Sequence, residues 1–209
     1  QVTGHEAAAH GGMVTSLVLV PTIVRAVKIP VIATGGFADG HGIAAALALG
    51  AEGVAMGTRL SVTKESPVHD ITKKATLEAG IDDTIYSNRF DGLYCRVLKT
   101  PAAKKAVRKG MSLPRAMVAS ISISRKLKLP FFKLLLGTVV KGPKVMIQLA
   151  HMATAFEKIQ MATEDGDLKK GVHLIGQAQG LVNDMPTVND LMKRIIAEAR
   201  QSLDKMNTM

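Results

Sequence analysis

The sequence predicts an α/β protein built on a parallel sheet. Two short apolar runs, residues 30–34 and 53–56, each end at a glycine turn, and neither alternates with polar residues. Continuous apolar runs are typical of parallel strands that are covered on both faces. Between them lies a run of small residues, 43–49, which has the composition of a helix that ends at Gly50. Strand, helix and strand together predict a βαβ unit.

The two glycine turns predict a site for an anion. They are Gly35-Gly36 after the first run and Gly57-Thr58 after the second. A right-handed crossover places both turns at the carboxyl edge of the sheet. Neighbouring turns with bare backbone N–H groups form a cradle for phosphate. The alternative is that these glycines only end the strands, but the pairing of two turns favours phosphate.

The beginning of the chain fits the same pattern. Residues 1–4 look like the end of a strand that runs into a loop, GHEAAAHGG (4–12), where two histidines and a glutamate stand among small residues. Small side chains beside ionisable ones let a planar group approach the backbone. Pro21 is a plausible first residue of a short helix that leads to the strand at Pro30. This repeat is the unit of an α/β barrel or of a doubly wound sheet.

After residue 60 the repeat stops and helices predominate. The predicted segments are a helix over 66–79, an extended segment over 95–98, helices within 101–163, a helix over 171–182 and a helix that follows Pro186. The last helix has the clearest pattern, since Thr187 and Asp190 give it a capping signal. Its apolar residues then share one face: Val188, Leu191, Met192, Ile195, Ile196, Ala199 and Leu203.

Composition indicates an aliphatic core and a reducing compartment. The 209 residues are 47% hydrophobic but only 3% aromatic, and Cys95 is the single cysteine. One cysteine excludes an internal disulfide framework. The chain shows no signal-peptide pattern and no apolar stretch near the ~20 residues of a membrane span. We therefore expect a soluble, cytoplasmic protein without stable membrane insertion.

The net charge of +10 is concentrated in one region. Residues 99–156 contain 12 Lys and Arg and no Asp or Glu. An anionic partner would explain this, as would a solvated helical face or contact with acidic surface elsewhere in the protein. Without a recognition motif we favour the second explanation and expect no nucleic-acid partner. Residues 124–142 could be a basic amphipathic element, but we expect them to pack over the active site.

Four motifs in order along the chain resemble those of the nitronate monooxygenases, formerly called 2-nitropropane dioxygenases. They are GHEAAAHGG, PVIATGGFADGHGIAAALALGAEGVAMGTR, TKESPVH with the later CRVL, and GDLKKGVHLIGQAQGLV. Members of this family are FMN-dependent (β/α)₈ TIM barrels with an added helical domain. The FMN-dependent enoyl-acyl-carrier-protein reductases belong to the same superfamily and share most of these motifs.

The resemblance implies that the chain is the C-terminal part of a longer barrel protein. Residues 1–65 would supply barrel strands six to eight, 66–185 a mostly helical inserted or lid region, and 186–209 a helix that packs on the barrel. The N-terminal part of the barrel would then be missing. A partial barrel would expose strand edges and apolar faces, which isolated domains avoid.

The resemblance also assigns cofactor contacts. Backbone N–H groups of the first turn would bind the FMN phosphate, and the second turn would complete the cradle, with a hydroxyl from Thr58. Such charge-assisted bonds contribute roughly 1.5–3 kcal/mol each. Thr3 and Ala8 stand where many members have glutamine and glycine, and we expect both to contact the flavin. The full predicted set is Thr3, Ala8, Gly35, Gly36, Phe37, Ala55, Met56, Gly57 and Thr58.

His10 is the predicted catalytic residue. It matches the family's base, which takes the α-proton of a nitroalkane or lies beside the bound nitronate. Imidazole suits this role because its unperturbed pKa lies near neutrality. The alternative is an ordinary loop histidine. We expect His5 to be exposed and Glu6 to bond backbone N–H groups without a catalytic role.

No metal site is predicted, because the remaining histidines lack ligand spacing. Cys95 has no evident base nearby and is expected to be a buried small hydrophobe. Three functions stay open. The first is an FMN oxygenase that oxidises alkyl nitronates with O₂. The second is an NAD(P)H-dependent reductase of an enoyl thioester or quinone. The third is a non-catalytic interaction domain that uses the basic region.

Overall fold

A three-stranded parallel sheet forms the first part of the molecule. The computed structural model describes residues 1–8, 10–109 and 143–208. Strands β1 (Val2–Thr3), β2 (Ile32–Thr34) and β3 (Gly53–Ala55) lie side by side in chain order. Ala33 at the centre faces Val2 on one side and Val54 on the other. The α/β class is therefore confirmed, and the assignment to barrel strands six to eight stays a prediction.

Helices α1 (Ser16–Ala26) and α2 (Gly40–Ala48) make the two crossovers. Their apolar faces meet the sheet in a buried cluster: Val20, Ala33, Ala46 and Ala51, with Val24 and Val54 packed against it. Small residues predominate here, so the helices can lie close to the strands.

Two predicted helix starts were wrong. Helix α1 begins at Ser16, and Pro21 lies inside it rather than at its first position. Burial of Val20 against the sheet favours the longer helix, although proline removes one backbone bond. Helix α2 begins at Gly40 instead of residue 43, because the Asp39 carboxylate caps it by accepting the N–H of Gly42 at 2.8 Å.

The second part combines helices with a β-hairpin. Its elements are α3 (Thr58–Ser61), α4 (Asp70–Leu77), β4 (Thr84–Ser87), β5 (Cys95–Leu98), α5 (Pro101–Lys109), α6 (Pro143–Thr163), a 3₁₀ turn (Gln177–Leu181) and α7 (Val188–Asn207). Strands β4 and β5 pair antiparallel. The predicted extended segment at 95–98 is confirmed, and α4 is shorter than the predicted helix over 66–79.

The predicted helix over 171–182 was wrong. Only the 3₁₀ turn is helical, and the residues before it extend along β5. Leu98 N–H donates to the His173 carbonyl, Leu174 bridges Val97, and Ile175 N–H donates to the Arg96 carbonyl. Pairing with a strand satisfies backbone groups that a helix would have paired internally.

Cys95 lies in the core beneath the hairpin, as expected. The buried cluster around it includes Phe90, Val97, Ala103 and Val172. Burial, assisted by the nearby carboxylate of Asp91, raises the pKa of the Cys95 thiol to about 12. The thiol therefore stays protonated and acts as packing.

Helix α7 confirms the clearest sequence prediction. Thr187 caps it by accepting the N–H of Asp190, and Leu191, Ile195 and Ala199 are buried. Met192 and Ile196, which were assigned to the same face, are exposed. Helix α7 packs on α2 at Gly40, where a Cβ atom would collide with the Ile195 carbonyl.

Two further predictions concern membranes and metals. Among the described residues, no helix is long and apolar enough to cross a membrane. The same residues contain no group of three or more His, Cys, Asp or Glu side chains that could hold a metal ion. The amphipathic element predicted at 124–142 lies outside the described residues.

Candidate functional site

An open cleft of about 560 Å³ lies where the three parallel strands end. The loop after β1 and the two glycine turns after β2 and β3 form its walls. All nine residues predicted to contact a cofactor line it: Thr3, Ala8, Gly35, Gly36, Phe37, Ala55, Met56, Gly57 and Thr58. The fold thus brings together the residues that the sequence pattern had grouped.

Backbone N–H groups are the main polar feature of this cleft. Gly35 and Gly36 have φ angles of 97° and 85°, the left-handed region that favours glycine. In the described part of the chain, the N–H groups of Gly36, Phe37, Gly57 and Thr58 donate to no protein acceptor. A Cβ atom on Gly57 would meet nothing within 4 Å, so its backbone faces open space. Free N–H groups beside open space suit an anionic ligand.

Among the described residues that line the cleft, Glu6 has the only formally charged side chain, and it is engaged with the protein. Its carboxylate accepts the backbone N–H of Ser16 at 3.1 Å and lies 3.0 Å from the Ser16 hydroxyl. That hydroxyl also lies 2.8 Å from the carbonyl oxygen of Gly35. Glu6 therefore ties its loop to the first glycine turn, a structural role that agrees with the expectation.

A segment that the sequence analysis placed in a helix closes one side of the cleft. The N–H of Gly176 donates to the Thr58 hydroxyl oxygen at 3.0 Å, and the N–H of Gln177 donates to the Glu6 carbonyl at 2.8 Å. A Cβ on Gly176 would lie 2.8 Å from that carbonyl, so the approach requires glycine. The Thr58 hydroxyl accepts here and keeps its own hydrogen to donate into the cleft. In the sequence, the GQAQG motif at residues 176–180 was the signal that could have indicated this contact.

His10 lies on the loop that follows β1, but it is not among the residues that line the cleft. Its Nε2 atom is 2.6 Å from Oδ2 of Asp91, and its side chain is 45% exposed whereas that of Asp91 is 12% exposed. The second oxygen of Asp91 accepts the N–H of Leu93 at 2.9 Å. Sequence reasoning missed Asp91 because it lies 81 residues away and belongs to no motif that was recognised.

The β4–β5 hairpin holds the histidine loop at three further points. The N–H of Arg96 donates to the Ala8 carbonyl at 2.9 Å, and its guanidinium donates to the His5 carbonyl at 3.0 Å. The hydroxyl of Tyr86 donates to the Gly11 carbonyl at 2.7 Å. Burial lowers the pKa of Arg96, against the opposing effects of Tyr86 and Glu6. His5 is half-buried with its ring edge against Tyr86, instead of fully exposed.

The fold and the site together define an α/β protein with a glycine-lined cleft at the ends of parallel strands and a histidine–aspartate pair beside it. The family model described as nitronate monooxygenase matches residues 2–198. The chain therefore belongs to the nitronate monooxygenase family, as the motifs indicated.

Individual relatives carry different names. Two are called (3aS,4S,5R,7aS)-5-hydroxy-7a-methyl-1-oxo-octahydro-1H-indene-4-carboxyl-CoA dehydrogenase. The protein from Rhodococcus jostii is 37% identical over 100% of this chain and 60% of its own length, and that from Mycobacterium tuberculosis is 35% identical over 95% and 58%. A probable nitronate monooxygenase from Staphylococcus aureus is 39% identical over 44% of this chain and 29% of its own length.

A solved structure, FabK from Thermotoga maritima, has the same fold. It matches 99% of this chain and 55% of its own chain, with a TM-score of 0.71 and 32% identity. The chain thus spans about 60% or less of the length of each relative it matches.

Proposed function

We propose that the whole protein is an FMN-dependent oxidoreductase and that this cleft holds the phosphate end of the flavin. The observation that carries the proposal is the set of four backbone N–H groups, at Gly36, Phe37, Gly57 and Thr58, that find no acceptor among the described residues and lie beside open space. Donors of this kind fit a phosphate, and the Thr58 hydroxyl adds another. The carboxylate of Glu6 is turned to the N–H and hydroxyl of Ser16, so its hydrogen-bonding capacity is used within the protein.

Each part of the chain has a separate task in this proposal. FMN, when bound, supplies the exchange of an electron pair with the substrate. The glycine turns hold its phosphate, and Thr3 and Ala8 flank its ring. His10 takes up or returns the proton of the substrate, since imidazole changes its charge near neutral pH. The hairpin keeps the His10 loop against the cleft.

We further propose an enoyl thioester as the substrate, which belongs to the second of the three functions left open, the NAD(P)H-dependent reduction of an enoyl thioester or quinone. The two relatives named carboxyl-CoA dehydrogenases match 100% and 95% of this chain, including its helical part. A thioester stabilises an enolate at the neighbouring carbon, so a histidine can return a proton to that carbon in the reductive direction and take it up in the reverse direction. The basic composition of residues 99–156 suits an anionic carrier such as CoA or an acidic carrier protein.

Oxidation of alkyl nitronates with O₂ is the second candidate. It is favoured by the family model and by the 39% identity with a probable nitronate monooxygenase. That identity is confined to 44% of this chain. This oxidation needs the same cleft, and His10 would take the α-proton when the substrate arrives as the neutral nitroalkane or would lie beside the nitronate when that proton is already lost.

The exposed face of α1 supports the proposal that preceding barrel strands complete the site. Leu17 and Val18 are 70% and 56% exposed. Met13 and Ile29, which precede and follow the helix in the chain, are each 71% exposed. Large apolar side chains exposed together in one segment of the chain are typical of a contact with another part of a protein. Residues from those strands would form the remaining walls around the flavin.

The test uses the full-length protein. We expect it to purify yellow, to be bleached by NADPH or NADH, and to be reoxidised by an enoyl-CoA or enoyl-carrier-protein thioester under nitrogen. Rapid O₂ uptake with a nitronate, with no response to any thioester, would replace the first candidate with the second. A colourless protein that binds no added FMN would overturn both and favour a non-catalytic role.

A further inference from the structure

The contact between His10 and Asp91 determines which ring nitrogen of the histidine is free. Oδ2 of Asp91 lies 2.6 Å from Nε2 of His10, within hydrogen-bond distance. An ionised carboxylate can only accept, so Nε2 must carry the hydrogen, and the neutral ring then has its lone pair on Nδ1. We propose that Asp91 is a positioning residue that fixes the Nε2–H tautomer of His10 and leaves Nδ1 as the atom that takes up or returns the substrate proton.

Asp91 is itself held firmly enough to orient another side chain. It is 92% buried as a residue, and its Oδ1 accepts the N–H of Leu93 at 2.9 Å. The turn around it is closed by a bond from the N–H of Gly92 to the Asn88 carbonyl. Its neighbour Phe90 anchors the turn in the core beneath the hairpin. The carboxylate therefore has one oxygen fixed by the backbone and one left for His10.

The same hairpin also fixes the backbone on both sides of His10. Arg96 bonds the carbonyl of Ala8, and Tyr86 bonds the carbonyl of Gly11. With the loop fixed before and after His10, the ring can reach Asp91 in few orientations. Because one element sets the loop position and the tautomer together, the ring is held in one defined state, which is what acid–base catalysis requires.

A purely structural role for Asp91, as the acceptor for Leu93, is the competing explanation. Asp91→Asn separates the two roles. The asparagine oxygen can still accept the N–H of Leu93, while its NH₂ group is presented to Nε2 of His10. A donor at that point favours the opposite tautomer, with the hydrogen on Nδ1. The structural explanation predicts no change in the ring.

The primary measurement is the ¹⁵N shifts of the His10 ring in the full-length protein at about pH 8.5, where an ordinary imidazole is neutral. The His10→Gln variant assigns the resonances. We expect a hydrogen on Nε2 in the unmodified protein and a shift towards Nδ1–H in Asp91→Asn. A hydrogen on Nδ1 in the unmodified protein would overturn the proposal even if the variant failed to fold.

The kinetic measurement rests on the proposed function, whereas the ring measurement does not. With whichever substrate proves active, we expect Asp91→Asn to lower kcat about 10- to 100-fold while KM and flavin content stay within about twofold, because only proton transfer is affected. Asp82→Asn, the same change at an exposed site before β4, is the matched control and should behave as the unmodified protein. Unchanged kcat and unchanged ring shifts in Asp91→Asn would sink the proposal. Turnover of neither substrate class, with the expected tautomer, would count against the proposed function alone.

Discussion

The glycine cleft and the histidine loop lie side by side but are built differently. The cleft takes its predicted contacts from the ends of three consecutive strands within residues 3–58, and its donors belong to the backbone. The loop of His10 depends on the β4–β5 hairpin, whose residues Tyr86, Asp91 and Arg96 follow 75 to 91 positions later. Phosphate binding can thus be encoded locally, whereas a defined proton acceptor needs contacts from a distant part of the chain.

Loss of His10 should produce the largest effect and should separate the two regions. General-base catalysis contributes about 10²- to 10⁴-fold, so His10→Gln should lower kcat by that factor. Flavin content should be unchanged, because His10 does not line the cleft. Absorbance of bound flavin and steady-state kinetics test both statements. His41→Gln alters a histidine whose side chain is 73% exposed and serves as the control. A colourless His10→Gln protein would contradict the separation.

The stability of the hairpin region should depend on pH through His173. Neither ring nitrogen has a partner among the described residues, and burial lowers the pKa of His173 to about 4. Between pH 6.5 and 4 the unfolded chain therefore binds a proton that the folded one does not, so stability falls as the pH falls. The total loss should be about 3 kcal/mol. Urea unfolding at several pH values should show it, and His173→Leu should flatten that part of the profile. His41→Leu should leave the slope in place.

Substitution by alanine should affect a different property at each of two glycines of the cleft: stability at Gly35 and FMN binding at Gly57. At Gly35 the φ of 97° disfavours any side chain, and a Cβ would lie 3.1 Å from the Gly4 carbonyl, so Gly35→Ala should cost about 1–2 kcal/mol of stability. Gly57 has a φ of −82° and open space beside it, so Gly57→Ala should change stability by less than about 0.5 kcal/mol. It should instead weaken FMN binding, measured by flavin fluorescence titration. Equal losses of stability in the two variants would refute the distinction.

Thr58 should give the smallest effect, because it loses one hydrogen-bonding group. Thr58→Val removes the acceptor for the N–H of Gly176 and the hydroxyl donor to the phosphate. We expect a loss of about 1 kcal/mol in stability and a several-fold weaker affinity for FMN. Thr58→Ser keeps the hydroxyl and should retain both properties. If Thr58→Val and Thr58→Ser bind FMN equally well, the hydroxyl has no part in the site.

Sequence reasoning worked best where the signal is local. The parallel strands, the two glycine turns and the capped helix α7 were all predicted, since each depends on residues within a few positions of one another. It did less well at helix boundaries. Helix α2 begins earlier than predicted because Asp39 caps it. Helix α1 begins before Pro21 because its apolar face is buried against the sheet. It was wrong over 171–182, where pairing with β5 replaced a helix.

The sequence by itself determined the α/β class, the family, and nine of the residues that line the cleft, because strand ends and glycine turns position backbone donors without help from elsewhere. Only the tertiary structure showed that Gly176 closes the cleft and that Asp91 holds His10. The physical reason is the distance along the chain between a group and the residues that determine its state. A backbone donor is oriented by its own turn, but the tautomer of an imidazole is set by whatever group the fold places against it.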